Sequence, residues 1–144
     1  MEKRIKNIFE SLGADIFGIA NIERFDDAPS GFHPTDIYKN CKSVLVFAKC
    51  MSMGLAHVSP RIVYKKATDV SLDEIDRISY LASVEIEKLG GLAIPLPSDS
   101  PYEYWDEEKV EGRGILSMRH AALQAGIGSM GKNTLIITEY LHRR

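Results

Sequence analysis

A short glycine-rich segment holds the residues whose types and spacing are best suited to binding a ligand. It runs Ala125-Gly-Ile-Gly-Ser-Met-Gly-Lys-Asn-Thr134. Because glycine has no Cβ, a ligand can lie close against the backbone of such a segment. Lys132 and Asn133 follow the last glycine and would add a cation and an amide at the rim of the site.

The same segment matches the letters of two nucleotide-binding motifs but not their structural context. Gly126, Gly128 and Gly131 satisfy G-x-G-x-x-G, and the following Lys132 also fits the spacing of a Walker A loop. Both motifs need a strand before the first glycine and a helix after the last, whereas here a predicted helix precedes and a predicted strand follows. The structural alternative is that Gly126 ends a helix at its C′ position and the other glycines shape a tight turn.

A second unusual segment, from Pro97 to Glu108, combines aromatic and acidic side chains. It contains Tyr102, Tyr104 and Trp105 among five carboxylates. Exposed aromatic side chains are unfavourable in a solvated loop, so these residues are expected to pack against something. One interpretation is a flap over the protein's own core or a subunit interface. The other is one wall of a ligand cavity, with the aromatic rings stacked on a flat group.

No catalytic or metal-binding motif is present elsewhere in the sequence. The four histidines and two cysteines do not fall into H-E-x-x-H, C-x-x-C or another ligand spacing, so no metal site is predicted. Cys41 and Cys50 flank an apolar segment and are expected to behave as small hydrophobic residues. Catalytic residues cannot be assigned from these patterns.

Composition indicates one globular domain in the cytoplasm. The chain has 144 residues, 44% of them hydrophobic, and a formal net charge of -2. Nucleic-acid-binding proteins usually carry a basic excess, so this near balance argues against nucleic acid as a partner. No segment approaches the ~20 apolar residues of a membrane span, and two cysteines are too few for a disulfide scaffold.

Helix and strand signals alternate along the chain and predict an α/β or α+β fold of about four strands and two or three helices. Apolar spacing predicts helices near residues 5–12, 71–89 and 117–125, with a short helical turn after Pro34. Ser71 and Glu74 match a capping box at the start of the second of these helices. Strands are predicted over residues 15–20, 43–48, 92–96 and 134–138, the third at a sheet edge because of its prolines.

Three segments together resemble the epoxyqueuosine reductase family and, more closely, its short ferredoxin-like relatives. They are Gly31-Phe-His-Pro, Ser43-Val-Leu-Val-Phe-Ala and Arg119-His-Ala-Ala-Leu-Gln-Ala-Gly-Ile-Gly-Ser-Met-Gly-Lys-Asn-Thr-Leu135. The N-terminal domain of that family is similar to the corrinoid-binding domain of reductive dehalogenases. The resemblance therefore implies a nitroreductase-like mixed sheet flanked by helices, forming one domain over residues 1–144.

The resemblance also implies a cofactor and the residues that bind it. A cobalamin would lie against this domain and receive electrons from iron–sulfur clusters held further along the chain or by a partner protein. Carried over by motif, the cofactor-binding residues are Arg119, His120, Gly126, Gly128, Gly131, Lys132 and Asn133.

Two departures from the family pattern shape the functional hypothesis. The family continues with Tyr-Gly-Pro and a cysteine-rich segment, but this chain reads Tyr140-Leu-His-Arg-Arg144, so we expect a truncated protein that ligates no cluster itself. The queuosine enzymes also carry an acidic residue, their proposed proton donor, shortly before the helix that leads into the glycine-rich segment. The corresponding stretch here, Glu111–Leu116, contains no matching Asp. The leading hypothesis is the cofactor-binding domain of a corrinoid-dependent, iron–sulfur-linked reductase.

Two alternatives belong to other functional classes. One is a non-catalytic interaction or scaffold domain that is homodimeric, because a shortened fold exposes strand edges and apolar surface. The other is a flavin-dependent nitroreductase-like enzyme, which rests on fold analogy alone.

Overall fold

The computed structural model describes residues 1–138, which form two compact units. Unit 1 comprises Met1–Asp15 and Ala48–Ser98, and unit 2 comprises Ile16–Phe47 together with the chain from Asp99 onward. The departure from the family pattern at residues 140–144 lies outside the described residues.

Helices and short antiparallel strands alternate along the described chain, which confirms the α+β class. Residues 1–138 contain four α-helices: α1 (Glu2–Ser11), α2 (Pro34–Ile37), α3 (Arg61–Lys88) and α4 (Met118–Gln124). The strands within the same residues are β1 (Ile16–Asn21), β2 (Ser43–Ala48), β3 (Tyr104–Asp106), β4 (Glu111–Arg113), β5 (Ser129–Met130) and β6 (Ile136–Ile137). They pair as β1–β2, β3–β4 and β5–β6.

Unit 1 is built on the packing of α1 against α3. Phe9 of α1 and Ile78, Ala82 and Ile86 of α3 are buried, and the α3 residues follow the predicted spacing of three or four. Helix α1 ends where predicted, with Gly13 in the left-handed region at a φ of 102°.

The start of α3 differs from the prediction. The helix begins at Arg61, ten residues before Ser71, so Ser71 is a helix-interior residue and forms no capping box with Glu74. Between Pro60 and the glycine pair after Leu89 no residue breaks a helix, and proline is well placed just before a first turn. Apolar periodicity missed residues 61–70 because this part of α3 is largely exposed and has no buried stripe.

The predicted strand over residues 92–96 is wrong. This stretch has no regular secondary structure, and Pro95 and Pro97 have no N–H for a β-ladder. The segment is instead attached to α3, because the Ser98 backbone N–H donates to a carboxylate oxygen of Asp76 at 2.7 Å.

Unit 2 contains the β1–β2 pair, α2, α4 and the last two strand pairs. Hydrogen bonds at the two ends of β1–β2, Asp15 N to Ala48 O at 2.9 Å and Ile22 N to Lys42 O at 3.0 Å, give an antiparallel pairing. Strand β2 coincides with its predicted range and is partly buried from residue 44 to 48 without alternation. Helix α4 contacts β1, β5 and β6 and so covers these short strands.

The short helix α2 also follows the prediction. Pro34 occupies its first turn, and the His33 side chain accepts the Thr35 N–H while the Asp36 carboxylate accepts the His33 N–H. This reciprocal capping fixes a helix of a single turn.

Candidate functional site

Helix α4 leads into the glycine-rich segment, and the two side chains carried over by resemblance on this helix have hydrogen bonds within the fold. Ser117 caps the helix, and its hydroxyl lies 2.8 Å from Nδ1 of His120. The Arg119 guanidinium donates to the Thr134 hydroxyl at 2.8 Å, which attaches α4 to the far end of the glycine-rich segment. Arg119 therefore attaches the glycine-rich segment to α4, whereas His120 bonds to the residue that caps its own helix.

Gly126 is the C′ residue of α4 and is open to solvent. Its φ is 69°, and the Ile127 N–H donates to Ala122 O at 3.2 Å, as in a Schellman motif. A methyl group at Gly126 would meet no atom within 4 Å. Gly126 thus fits both interpretations of the sequence, since it ends a helix and leaves bare backbone accessible to a ligand.

Gly128 and Gly131 are covered by the protein's own chain. A Cβ at Gly128 would lie 2.6 Å from both Ile136 Cγ2 and the Ile137 carbonyl oxygen. A Cβ at Gly131 would lie 2.8 Å from the Asn133 side chain and 3.0 Å from Ile137 Cδ1. These two glycines allow β5 and β6 to pack closely against each other. The space that a side chain would take is filled by the protein itself.

A glycine that the sequence analysis did not select, Gly18 in β1, has the same role. A Cβ there would lie 2.5 Å from Ile127 Cγ2 and 2.6 Å from the Ala125 carbonyl oxygen. The end of α4 therefore rests directly on the backbone of β1. The available signal was a glycine inside an otherwise apolar strand, which often marks a close backbone approach.

The polar rim that follows the glycines is exposed. Lys132 has no ion-pair partner within residues 1–138. The Asn133 side-chain oxygen accepts the Leu135 N–H at 3.3 Å, which leaves its NH₂ group directed away from that contact. Gly126, Lys132 and Asn133 are the residues of the glycine-rich segment with groups available to a ligand. We call these three residues the outer rim.

The aromatic and acidic residues form the β3–β4 hairpin, which the sequence analysis treated as a connector. Trp105 pairs with Gly112 in its register, and a Cβ at Gly112 would lie 2.6 Å from the Tyr102 ring. The rings of Tyr102 and Trp105 stack with centroids 6.0 Å apart at an interplanar angle of 27°. Since successive strand residues point to opposite faces, Tyr104 lies on the other face from Trp105. Tyr102 and Trp105 therefore form one exposed aromatic surface, and Tyr104, which is also exposed, lies on the other face.

The carboxylates of this segment stabilise the hairpin. Asp106 accepts the backbone N–H groups of Glu108 and Lys109 at 3.1 Å each, and its other oxygen lies 3.6 Å from the Lys109 ammonium. Tyr102 donates its hydroxyl hydrogen to Asp99 at 3.1 Å. This hydrogen bond and the nearby negative charge raise the pKa of Tyr102 above its ordinary value.

We expect Asp99→Asn to lower the pKa of Tyr102 towards its ordinary value. The substitution removes the negative charge that opposes phenolate formation while it leaves an oxygen that can still accept the hydroxyl hydrogen. The measurement is a spectrophotometric titration of phenolate absorption, with Tyr102→Phe as the control that identifies the Tyr102 component. An unchanged titration in Asp99→Asn would show that Asp99 does not govern this phenol.

The glycine-rich segment and the hairpin are not joined directly. Within the described part of the chain, no hydrogen bond, ion pair or ring contact links residues 126–133 to the Tyr102–Trp105 pair. Over the same residues no group of three or more His, Cys, Asp or Glu side chains is placed to hold a metal ion. Cys41 and Cys50 form no disulfide bond with each other, and both are partly buried.

Comparison with known proteins finds distant relatives among the reductive dehalogenases. The chain is 28% identical over 127 residues to the tetrachloroethene reductive dehalogenase of Dehalobacter restrictus (strain DSM 9455 / PER-K23). It matches the protein of the same name from Desulfitobacterium hafniense at the same identity and length. A distant relation to the reductive dehalogenases is supported.

This relation covers most of the chain but little of the dehalogenases. The match includes 88% of the present chain and 19% of each dehalogenase, so the chain spans about a fifth of the length of these curated relatives. No protein-family model and no solved structure matches the chain. The relatives give no support to the narrower resemblance to epoxyqueuosine reductases. In residues 1–138, no helix combines the length and apolar character needed to cross a membrane.

Proposed function

We propose that this chain is the cofactor-binding part of a reductase related to the reductive dehalogenases, with a corrinoid held at the outer rim. The observation that carries the proposal is the bare, open backbone of Gly126 near the end of α4, followed by the unpaired ammonium of Lys132. The similarity to tetrachloroethene reductive dehalogenases over 88% of the chain supports the reductase class.

The residues of the outer rim fit a flat ligand bordered by polar groups, though at fewer points than the sequence pattern suggested. Gly126 lets a planar ring approach the backbone because nothing fills the space of its missing Cβ. Lys132 supplies a cation for a phosphate or an amide oxygen, and the Asn133 NH₂ group supplies two further donors. Gly128 and Gly131 lie behind this surface and fix its shape.

A bound corrinoid would supply a redox-active cobalt, which none of the chain's own side chains provides. The contribution of the protein is to orient the ring and exclude water from one of its faces. We also propose that its electrons come from iron–sulfur clusters held elsewhere. Two cysteines in the 144-residue sequence are fewer than the four thiolates that such clusters take.

The Tyr102–Trp105 pair is proposed as a second contact surface for a flat group. Trp105 remains 54% exposed although its ring is stacked on Tyr102. A preformed pair of stacked rings loses little side-chain entropy on binding, which favours a role in recognition. This surface is independent of the outer rim and is tested by its own variant, Trp105→Ala.

Cobalamin titration of the purified protein tests the proposal. We expect a change in the visible absorption bands of cobalamin and its retention on a desalting column. Lys132→Ala removes a charge-assisted hydrogen bond and is expected to weaken binding about tenfold. Lys39→Ala, at an exposed lysine of the same unit, is the matched control and should bind like the unmodified protein.

Two results would contradict the proposal of corrinoid binding. Absence of both the spectral change and retention would exclude corrinoid binding by this chain. Retention of a flavin, seen as a yellow protein, in place of cobalamin would favour the nitroreductase-like alternative. The exposed face of α3 supports self-association, which is compatible with either function.

A further inference from the structure

Helix α3 carries a largely exposed stripe on the side opposite its buried face, in which Val84 is partly buried. Seven residues separated alternately by four and three positions form this stripe: Lys66, Val70, Asp73, Arg77, Tyr80, Val84 and Glu87. A spacing that averages 3.5 residues keeps side chains in line along a helix that pairs with another helix. The full helix has 28 residues and is about 42 Å long, which gives room for such a pairing.

The four side chains at the centre of the stripe are exposed and form no ion pair within residues 1–138. Val70 is 52% exposed and Tyr80 59% exposed, so their apolar surfaces face solvent. Asp73 and Arg77 are both exposed, and neither takes part in an ion pair within residues 1–138, although they are four positions apart on the same helix. The stripe thus combines exposed apolar surface with two opposite charges that form no ion pair within residues 1–138.

The order of these four residues is self-complementary. From Val70 to Asp73 is three positions, from Asp73 to Arg77 four, and from Arg77 to Tyr80 three, so the spacing is the same in both directions. An antiparallel copy of the helix, centred at the level of Ile75, places Val70 against the partner's Tyr80. The same register places Asp73 against the partner's Arg77.

We propose that α3 mediates a two-fold symmetric homodimer in which two copies of this helix pack antiparallel through the stripe. A two-fold axis makes each contact occur twice, so the interface contains two Asp73–Arg77 pairs and two Val70–Tyr80 contacts. In the same register Lys66 lies opposite the partner's Val84, about one helical turn from the partner's Glu87. The two charges at the centre of the stripe therefore each meet an opposite charge.

A parallel arrangement is disfavoured by the same residues. It would place Asp73 against Asp73 and Arg77 against Arg77 across the axis, and like charges in direct contact oppose association. A polar pair at the centre of a helix interface lowers affinity but fixes register and orientation. The expected product is a dimer of a single, antiparallel geometry. The inference does not depend on the cofactor proposal.

Charge-exchange variants studied by sedimentation equilibrium test the interface. The unmodified protein should dimerise, and Asp73→Arg and Arg77→Asp should each weaken self-association about tenfold or more, because each places like charges together at two points. The doubly exchanged chain, Asp73→Arg with Arg77→Asp, should dimerise again. An equimolar mixture of the two single variants should form a heterodimer, since every facing pair is then opposite in charge.

The mixture separates the proposed contact from effects within one helix, because each single variant lacks an internal Asp73–Arg77 pair. Lys3→Asp on α1 changes the net charge as Arg77→Asp does and should leave the dimer intact. Circular dichroism checks that each variant is folded. A monomeric unmodified protein, or single variants that fail to associate with each other, would overturn the proposal.

Discussion

Replacing Gly128 by alanine is expected to destabilise the protein by about 2–3 kcal/mol, the usual cost of forcing an atom into filled space. The added methyl group would lie 2.6 Å from the Ile137 carbonyl oxygen, which belongs to the backbone of β6 and cannot rotate away. Relief would require β6 to move from β5 and to break their pairing. Thermal or denaturant unfolding monitored by circular dichroism measures the effect.

Gly114→Ala is the matched control because its Cβ would lie no closer than 3.9 Å to the nearest atom, the Leu116 carbonyl oxygen. It should change the free energy of unfolding by less than about 0.5 kcal/mol. If Gly128→Ala instead keeps full stability and loses only ligand binding, then Gly128 faces a ligand as the sequence motif suggested, and our assignment of its packing role is incorrect.

Ile78→Ala is expected to cost about 3 kcal/mol in the free energy of unfolding, within the range for truncating a buried isoleucine. Ile78 of α3 is fully buried and is the largest side chain in residues 1–138 with essentially no exposed surface. Its truncation removes three carbon atoms from contact and leaves a cavity that helices fixed by their own hydrogen bonds refill only in part.

Ile62→Ala makes the same chemical change on the same helix at a residue that is 77% exposed. Its effect should be within about 0.5 kcal/mol, since alanine also has the higher helix propensity. Equal destabilisation by the two substitutions would contradict the burial pattern of α3.

Local sequence signals predicted the elements that have their own start and stop residues. Gly13, Gly90 and Gly126 each follow a helix and adopt positive φ, and Pro34 begins a helical turn, as expected from residue type alone. Strand β2 was also predicted correctly, because a run of β-branched and apolar residues has few other stable conformations.

The elements that were missed depend on tertiary contacts or on exposed sequence. Residues 61–70 of α3 lack a buried stripe, so apolar periodicity could not reveal them. The β3–β4 hairpin is stabilised by the Tyr102 ring on Gly112, a contact without a local signature. It is also stabilised by hydrogen bonds from the backbone of residues 108 and 109 to Asp106, a local Asx turn that apolar periodicity does not reveal. Residues 92–96 have the apolar character of a strand but are attached to α3 through Ser98 instead.

The candidate site could likewise be predicted only in part from the sequence. Sequence identified the glycine-rich segment, but whether a missing side chain leaves space for a ligand or for the chain itself depends on what packs opposite. Gly126 faces open space, whereas Gly128 faces β6. Gly18, which supports the end of α4, lies more than 100 positions before it in the sequence, and no pattern within one segment can reveal such a contact.

The chain order of the two units has a consequence for folding during synthesis. Unit 1 has all its residues once Ser98 has left the ribosome, whereas unit 2 must wait for α4. Arg24 donates to the carbonyl of Gln124, exactly 100 positions later, at 2.6 Å. Strand β1 therefore emerges early and stays without its covering helix α4 while residues 22–117 are translated, and its surface is exposed to aggregation during that interval.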